Sequence, residues 1–250
     1  MPAAILRTLC ALIFAATLTT APASAAPPDD IMTITFVRHA ESEGNADGIM
    51  ETAVPGSSLT HNGKVQAAAI AARLSRTEPD GIYSSNLDRA QQTAKYLADQ
   101  LKENRKRAVG RRGGESLRPS VPVVVLPGLQ EIEAGEFEGQ PADLAGPPMY
   151  AVIDEWLKGN LTARIPGSVD GNDVVNRFNE AVLTIYASGD RKPVVFSHGG
   201  AIAVWTLKTV SNTQVDLIKS QPLYNTAYVV VQGNPTVGWR LLDWNGTKIA

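Results

Sequence analysis

The chain has 250 residues, 44% of them hydrophobic, and a formal net charge of −2 at pH 7. This length and composition suit one large α/β domain with a full apolar core. The near-neutral charge excludes a chain that binds nucleic acid or membrane surfaces through its overall charge, so we expect neither kind of partner.

The first 25 residues have the pattern of a cleavable signal peptide. A basic residue, Arg7, precedes an apolar run from Leu9 to Leu18, and the small residues Ala23-Ser24-Ala25 follow. The run is shorter than the ~20 residues that a membrane-spanning helix needs, so export is favoured over stable membrane insertion. Residues 26–250 are then expected to form a single domain, secreted or retained in the periplasm or cell envelope. Because the only cysteine, Cys10, leaves with the leader, that domain has no thiolate nucleophile or thiolate metal ligand.

Predicted strands and helices alternate along the rest of the chain. Short β-rich apolar runs predict strands at 31–37, 81–84, 121–126, 193–197, 227–232 and 237–242. Apolar residues at helical spacing predict helices after the N-cap Thr60 and at 87–101, 174–185 and 199–210, with a short helix ending at Trp156 in an otherwise irregular region, 128–170. This order predicts an α/β fold with a mostly parallel central sheet and helices on both faces.

A basic segment lies between two of these elements, at 102–119. Its cationic residues are Lys102, Arg105, Lys106, Arg107, Arg111, Arg112 and Arg118. A charge run of this kind predicts a mobile, solvated loop. A role in attracting anionic substrates or an anionic envelope surface is the alternative.

Two of the three histidines come directly after predicted strands. The first strand ends in Arg38-His39, and the fourth ends in Ser197-His198, followed by Gly199 and a second glycine. Ligands of open α/β sheets bind at the carboxyl ends of the strands, and small residues such as Gly199 let a ligand approach. The third histidine, His61, begins a helix and is expected at the surface.

These residues suit a phosphoryl group. Arg38, and Arg89 at the next strand-to-helix junction, can bind phosphate oxygens in pairs and stay charged. A neutral imidazole can attack phosphorus, and neighbouring arginines should keep it neutral by lowering its pKa. Glu131, the first acid in LQEIEAGEFEG, offers a proton for the leaving alkoxide.

Several segments, in this order, resemble the phosphoglycerate-mutase-like branch of the histidine phosphatase superfamily. They are VRHAESEGN, with Ala40 where glycine is common, then LTHNGKVQA, YSSNLDRAQQTA, LQEIEAGEFEG and FSHGG. The resemblance extends from Arg38 to Gly200 and implies that fold for the mature chain. Several such motifs in the right order are far more specific than any one alone.

The resemblance also implies roles for individual residues. His39 would be the phosphorylated nucleophile, with Arg38, Arg89 and His198 around the phosphate. Glu131 would protonate the leaving group and then activate water. Two further residues are expected near the phosphate: Asn45 as an extra donor or a turn-shaping residue, and Ser42 as a contact or a plain turn residue. The remaining acids of the loop, Glu133, Glu136 and Glu138, are expected to be solvated.

The family contains mutases as well as phosphatases. Its mutases are expected to present extra basic residues after the acid-bearing loop, but here no Lys or Arg lies between Glu131 and Lys158. Hydrolysis of a small-molecule phosphate monoester, with no cofactor and no metal, is therefore favoured over mutase-type transfer. The acid-phosphatase and phytase branch fits less well, because its second histidine is typically followed by an aspartate. Val169 or Asp170 stands where many relatives have a glycine-glutamate-serine pattern, which affects the expected substrate range.

Two hypotheses from other classes stay open. One is a metallohydrolase that uses His39, His198 and nearby acids, although two arginines in the same pocket would repel a divalent cation. The other is a phosphate-ester binding protein without turnover.

Overall fold

The computed structural model describes residues 30–112 and 121–249. The predicted signal peptide and the start of the mature domain at residue 26 lie outside the described residues, as does the end of the basic segment at 113–119. Both therefore stay predictions.

Within the described ranges, seven strands form one sheet. They are β1 (Met32–Arg38), β2 (Ile82–Ser84), β3 (Val123–Val125), β4 (Val194–Ser197), β5 (Tyr228–Asn234), β6 (Gly238–Trp244) and β7 (Thr247–Lys248). Their order is β3-β2-β4-β1-β5-β6-β7. The strands from β3 to β1 are parallel, whereas β5, β6 and β7 are added antiparallel. The sheet is therefore mixed, and it is parallel in the half that contains both histidine-bearing strands.

Seven helices are found in the described part of the chain. They are α1 (Glu43–Ala46), α2 (His61–Leu74), α3 (Asp88–Arg112), α4 (Ala142–Leu157), α5 (Gly171–Ala187), α6 (Gly199–Thr209) and α7 (Val215–Ser220). The predicted N-cap of α2 is confirmed, because the Thr60 side chain accepts a 2.8 Å hydrogen bond from the Gly63 N–H.

The predicted loop at 102–119 is wrong for its first part. Helix α3 continues past residue 101 to Arg112. Lysine, arginine and glutamate are good helix formers, and an exposed helix leaves their charges in water. One ion pair at helical spacing joins Lys106 to Glu103 at 2.7 Å. Charge density alone therefore did not distinguish an exposed helix from a loop.

Region 128–170 also contains more helix than predicted. Helix α4 begins at Ala142 and includes Pro147 and Pro148, which lack the N–H for a helical hydrogen bond. Its buried residues Met149 and Trp156 pack into an apolar cluster beneath the acid-bearing loop. Tertiary packing thus maintains a helix that the local sequence opposes.

Helices cover both faces of the sheet, which confirms the predicted α/β architecture. On one face Phe36 of β1 packs against Phe178 of α5 and Trp205 of α6, with ring centroids 5.5 and 5.1 Å apart. On the other face the neighbouring Val37 packs with residues of α2 and α3. Successive residues of β1 therefore face opposite layers, as expected for a strand buried on both sides.

The register of β1 and β4 determines where the two histidines lie. These parallel strands are neighbours, and Arg38 is paired with Ser197. The His39 N–H donates to the Ser197 carbonyl at 3.0 Å. His39 and His198 consequently leave the sheet side by side, at the carboxyl ends of adjacent strands.

Candidate active site

His39 is held as one specific neutral tautomer. The residue is 2% exposed, Nδ1 lies 2.7 Å from the Ala40 carbonyl oxygen, and Nε2 lies 3.0 Å from Nε of Arg89. A carbonyl can only accept and an arginine nitrogen can only donate. Nδ1 therefore carries the proton, and Nε2 presents its lone pair to the guanidinium.

The electrostatics of the site favour this neutral form. Burial lowers the pKa of His39 well below its ordinary value, and the charges of Arg89 and Arg38 lower it further. The arginine effect expected from the sequence is therefore present, but burial is the larger cause. The imidazole keeps its nucleophilic lone pair at neutral pH.

His198 lies beside His39, with 5.0 Å between their ring centroids. It is fully buried, its Nε2 lies 2.7 Å from Oγ of Ser85, and its Nδ1 has no partner in the described part of the chain. Ser85 Oγ already accepts the Leu87 N–H at 3.2 Å, so its own hydrogen is available to His198 Nε2. In the tautomer in which Ser85 donates to Nε2, Nδ1 carries an N–H that can bind an anion. Burial, then His39 and the nearby arginines, lower the pKa of His198 as well.

Each of the two arginines combines anchoring hydrogen bonds with a buried nitrogen that makes no hydrogen bond. Arg38 donates from Nη1 to the Leu223 carbonyl at 2.6 Å, and Arg89 donates from Nη2 to the Glu51 carbonyl at 2.9 Å. Among the described residues, Nε of Arg38 and Nη1 of Arg89 make no hydrogen bond, although the Glu51 carboxylate approaches Arg89 to 3.5 Å. Buried donors without a partner are rare in folded proteins. With His198 Nδ1 they are suited to binding the oxygens of one phosphoryl group.

Glu131 is positioned by the start of α6. Its carboxylate accepts the Ala201 N–H at 2.8 Å, the Gly200 N–H at 3.2 Å and the N–H of Ile132 at 2.9 Å. A Cβ atom at Gly200 would lie 2.9 Å from Oε1 of Glu131, so only glycine allows this approach without a shift. The predicted acid is therefore brought to the two residues that follow His198 and Gly199.

The three predicted contacts around the phosphate have different surroundings. Ser42 is buried and acts as the N-cap of α1, accepting the Asn45 N–H at 3.3 Å. Asn45 is exposed, and its Oδ1 accepts from Asn225, whose amide also donates to the His39 carbonyl at 3.1 Å. A Cβ at Gly199 would lie 3.3 Å from Cδ of Arg38, so this glycine lets Arg38 pack closely. Binding of substrate by these residues stays a prediction.

Two of the acids expected to be solvated are instead hydrogen-bonded. The Glu138 carboxylate accepts from the N–H and Oγ1 of Thr52 and from the N–H of Ala53, at 2.6–3.0 Å. Glu133 lies 3.4 Å from Arg177. Only Glu136 is exposed as predicted. Glu138 thus ties the acid-bearing loop to the segment at 51–53, whose Glu51 carbonyl accepts from Arg89. Its partner Thr52 lies 86 residues away in the sequence, and no local pattern indicates it.

Two more sequence expectations are settled by placement. His61 is exposed, as predicted. Asp170 is the N-cap of α5 and pairs with Arg164 at 2.8 Å, so it has a structural role in the segment that replaces the glycine-glutamate-serine pattern.

Arg177 is a functional candidate that the sequence did not single out. From α5 it donates to the carbonyls of Gly128 at 3.0 Å, Gln130 at 2.8 Å and Glu131 at 2.7 Å. It therefore fixes the backbone of the loop that carries Glu131. In the sequence it is one more polar residue on an amphipathic helix, and only its partners reveal its role.

We expect the buried histidines to make the fold acid-sensitive. Both stay neutral in the folded chain, whereas an unfolded histidine binds a proton below about pH 6.5. Acidification below that pH therefore favours the unfolded state, by about 1.4 kcal/mol per pH unit for each histidine, until the lowered pKa is reached. Urea denaturation between pH 7 and 5 measures this slope.

A matched pair of variants tests whether the buried histidines cause this pH dependence of the free energy of unfolding. His198→Gln should remove about one histidine's share of it. His61→Gln, at the exposed start of α2, should leave it as in the wild type. An unchanged slope in His198→Gln would contradict the inference.

No group of three or more His, Cys, Asp or Glu side chains arranged to hold a metal ion occurs in the ranges 30–112 and 121–249. Across the same ranges, none of the helices has the length and hydropathy needed to cross a bilayer. The expectation that no metal or cofactor is used stays a prediction.

Known proteins similar to this chain include two curated bacterial ones. It is 39% identical over 232 residues to the PE-PGRS family protein PE_PGRS11 of Mycobacterium tuberculosis (strain ATCC 25618 / H37Rv), an alignment that covers 86% of this chain and 37% of that protein. It thus spans little more than a third of that relative. It is 29% identical over 173 residues to the probable phosphoglycerate mutase GpmB of Yersinia pestis (strain Pestoides F), with 69% of this chain and 72% of that protein covered.

Two solved structures have a similar fold. The mycobacterial glucosyl-3-phosphoglycerate phosphatase Rv2419c superposes with a TM-score of 0.66 at 23% identity, covering 87% of this chain and 100% of that one. The phosphoserine phosphatase of Entamoeba histolytica gives 0.62 at 21% identity, with 86% and 97% covered. At these identities the likeness concerns the fold. The family model described as histidine phosphatase superfamily (branch 1) matches residues 34–247, and the chain belongs to that family.

Proposed function

We propose that this protein is a phosphoric monoester hydrolase that works through a phosphohistidine at Nε2 of His39, without a cofactor. The observation that carries the proposal is the buried His39 lone pair, in contact with Arg89, together with buried nitrogens of Arg38, Arg89 and His198 that make no hydrogen bond in the described part of the chain. Such an arrangement supplies a nucleophile and stabilises the charge that develops on the transferred group.

The first step transfers the phosphoryl group to the enzyme. Nε2 of His39 attacks phosphorus as the bond to the leaving oxygen breaks, and Glu131 gives that oxygen its proton. The three donors identified above, on Arg38, Arg89 and His198, bind the equatorial oxygens. Because Nε of Arg89 now donates to the attacking nitrogen, this N–H must turn to a phosphoryl oxygen when the substrate binds.

The second step returns the site to its starting state. A water molecule gives a proton to the Glu131 carboxylate and attacks phosphorus, and the P–N bond breaks. Inorganic phosphate leaves, and His39 is again neutral with its proton on Nδ1. The Ala40 carbonyl holds that proton throughout, which keeps the ring orientation unchanged.

Charge supports hydrolysis over mutase chemistry. Residues 132–157 contain no Lys or Arg that could hold a second anionic end of a phosphoglycerate. Among the relatives, both phosphatases and a probable mutase occur, so family membership alone is compatible with either reaction. The signal peptide predicted at 1–25 supports export of the enzyme to the periplasm, the envelope or the medium.

The purified chain should release inorganic phosphate from p-nitrophenyl phosphate and from an alkyl phosphate. With 3-phosphoglycerate, ³¹P NMR should show no 2-phosphoglycerate. Formation of that isomer would favour the mutase, and binding without turnover would favour a binding protein. Loss of activity with a chelator, restored by zinc, would favour the metallohydrolase.

A further inference from the structure

We infer that Gln66 is a positioning residue for the nucleophile, because it holds the peptide unit whose carbonyl binds the Nδ1 proton of His39. The inference rests on the proposed hydrolase function. It gives a role to the segment LTHNGKVQA, at 59–67, none of whose side chains takes part in the proposed mechanism. That segment contains the N-cap and the first turns of α2.

One peptide unit connects Gln66 to His39. The carbonyl of this unit belongs to Ala40, and its oxygen lies 2.7 Å from Nδ1 of His39. The N–H of the same unit belongs to Glu41 and donates to Oε1 of Gln66 at 2.9 Å. Because a peptide unit is planar, with its N–H and carbonyl on opposite sides, fixing the N–H also fixes the direction of the carbonyl.

The start of α2 holds Glu41 through several further contacts. The Glu41 carbonyl accepts the Thr60 N–H at 3.1 Å. The Glu41 carboxylate accepts from Oγ1 of Thr60 at 2.6 Å and from Nδ2 of Asn62 at 3.0 Å. A Cβ atom at Gly63 would clash with the Glu41 carbonyl oxygen, so glycine is needed for this close approach. The helix that carries Gln66 is therefore fixed against the residue whose N–H it binds.

The chemistry of the imidazole explains why this support matters. Nε2 of His39 can attack phosphorus only while the proton of the neutral ring stays on Nδ1. The ring becomes positively charged during the attack, and the Ala40 carbonyl then stabilises the Nδ1 proton. A hydrogen bond to the N–H of a peptide unit also polarises the carbonyl of that unit and makes it a stronger acceptor. Gln66 thus acts through the Ala40 carbonyl and does not need to touch the substrate.

Gln66→Met removes the acceptor and should lower kcat/KM about 10- to 100-fold, because the ring is no longer held for attack. The loss should be equal for p-nitrophenyl phosphate and an alkyl phosphate, since attack by His39 is common to both esters. Competitive inhibition by inorganic phosphate should stay as in the wild type, because Arg38 and Arg89 are unchanged. Gln66→Glu keeps an acceptor for the Glu41 N–H and should restore activity.

Gln92→Met is the matched control. Oε1 of Gln92 accepts the Leu59 N–H at 2.9 Å, so this variant removes a hydrogen bond of the same kind and length. That bond does not involve the peptide unit between Ala40 and Glu41, and kcat/KM should therefore stay near the wild-type value. Thermal unfolding shows whether both variants keep the fold.

¹⁵N NMR of the histidine ring nitrogens tests the inference without a measurement of activity. In the wild type, the proton of neutral His39 should be on Nδ1. In Gln66→Met, part of the population should carry it on Nε2, because the carbonyl that selects the tautomer is less well held. Comparison with His39→Ala identifies the His39 signals among those of the three histidines.

The outcomes separate this inference from the proposed function. Wild-type kcat/KM in a folded Gln66→Met protein, or an equal loss in Gln92→Met, would overturn the inference and leave the hydrolase proposal intact. A larger loss with the alkyl ester would also overturn it, because the effect would then act through Glu131. If the wild type hydrolysed no monoester, the proposed function would fall, and the NMR comparison would still decide whether Gln66 positions His39.

Discussion

Replacing His39 by alanine is expected to reduce the rate of phosphate release on the order of 10⁴-fold or more, because the variant lacks the group that accepts the phosphoryl group covalently. His198 is the nearest imidazole, but Ser85 engages its Nε2 and its Nδ1 is expected to carry a proton. His198 is therefore not available to replace His39 as the nucleophile. Steady-state phosphate release and rapid-quench trapping with ³²P-labelled ester measure the effect.

The trapped species identifies the nucleophile. Wild-type protein should give a phosphoenzyme that is stable to base and labile to acid, located at His39, and His39→Ala should give none. His61→Ala, at an exposed site, is the matched control and should form the phosphoenzyme normally. Thermal unfolding of both variants distinguishes lost chemistry from a lost fold. Normal turnover by a folded His39→Ala protein would disprove the covalent mechanism.

Replacing Glu131 by glutamine is expected to slow alkyl phosphates by about 10²- to 10⁴-fold and p-nitrophenyl phosphate much less. An alkoxide needs a proton to leave, whereas nitrophenolate does not. A glutamine carbonyl can still accept the N–H groups of Ile132 and Ala201 that Oε1 of Glu131 binds, whereas the longer bond from the Gly200 N–H to Oε2 is lost. Comparing kcat/KM for the two esters isolates the leaving-group effect, because kcat/KM reports phosphoryl transfer to His39, whereas hydrolysis of the phosphohistidine is common to both esters.

Arg177 provides a second way to examine the same acid. Arg177→Met removes the hydrogen bonds that fix the carbonyls of Gly128, Gln130 and Glu131, so the carboxyl group should lose its position. The rate with alkyl phosphates should fall on the order of tenfold, which is less than in Glu131→Gln. The rate with p-nitrophenyl phosphate should again fall less. The exposed Arg240→Met is the control. If Glu131→Gln lowered kcat/KM equally for both esters, Glu131 would not be the acid. If Arg177→Met lowered kcat/KM equally for both esters, Arg177 would have only a structural role.

Local signals in the sequence were sufficient to identify the predicted residues that the structure brings together at the candidate site. The strand ends carrying His39 and His198, the cap at Thr60 and the alternation of strands and helices depend on short-range chemistry, which leaves a mark within a few residues. The same holds for Arg89, in the first turn of α3, and for Glu131, which follows β3 by a few residues. The α/β class followed from these, because a parallel pair of strands requires a crossover between them.

Tertiary structure decided the features that depend on distant partners. The antiparallel addition of β5 to β7, the helix that includes Pro147 and Pro148, and the hydrogen bonds of Arg177 and Glu138 all depend on groups brought together by folding. Arg177, for example, binds carbonyls 46 to 49 residues earlier in the chain. Such pairings arise when burial leaves polar groups with no water to bind, so the folded surroundings select the partner and no sequence neighbour can indicate it.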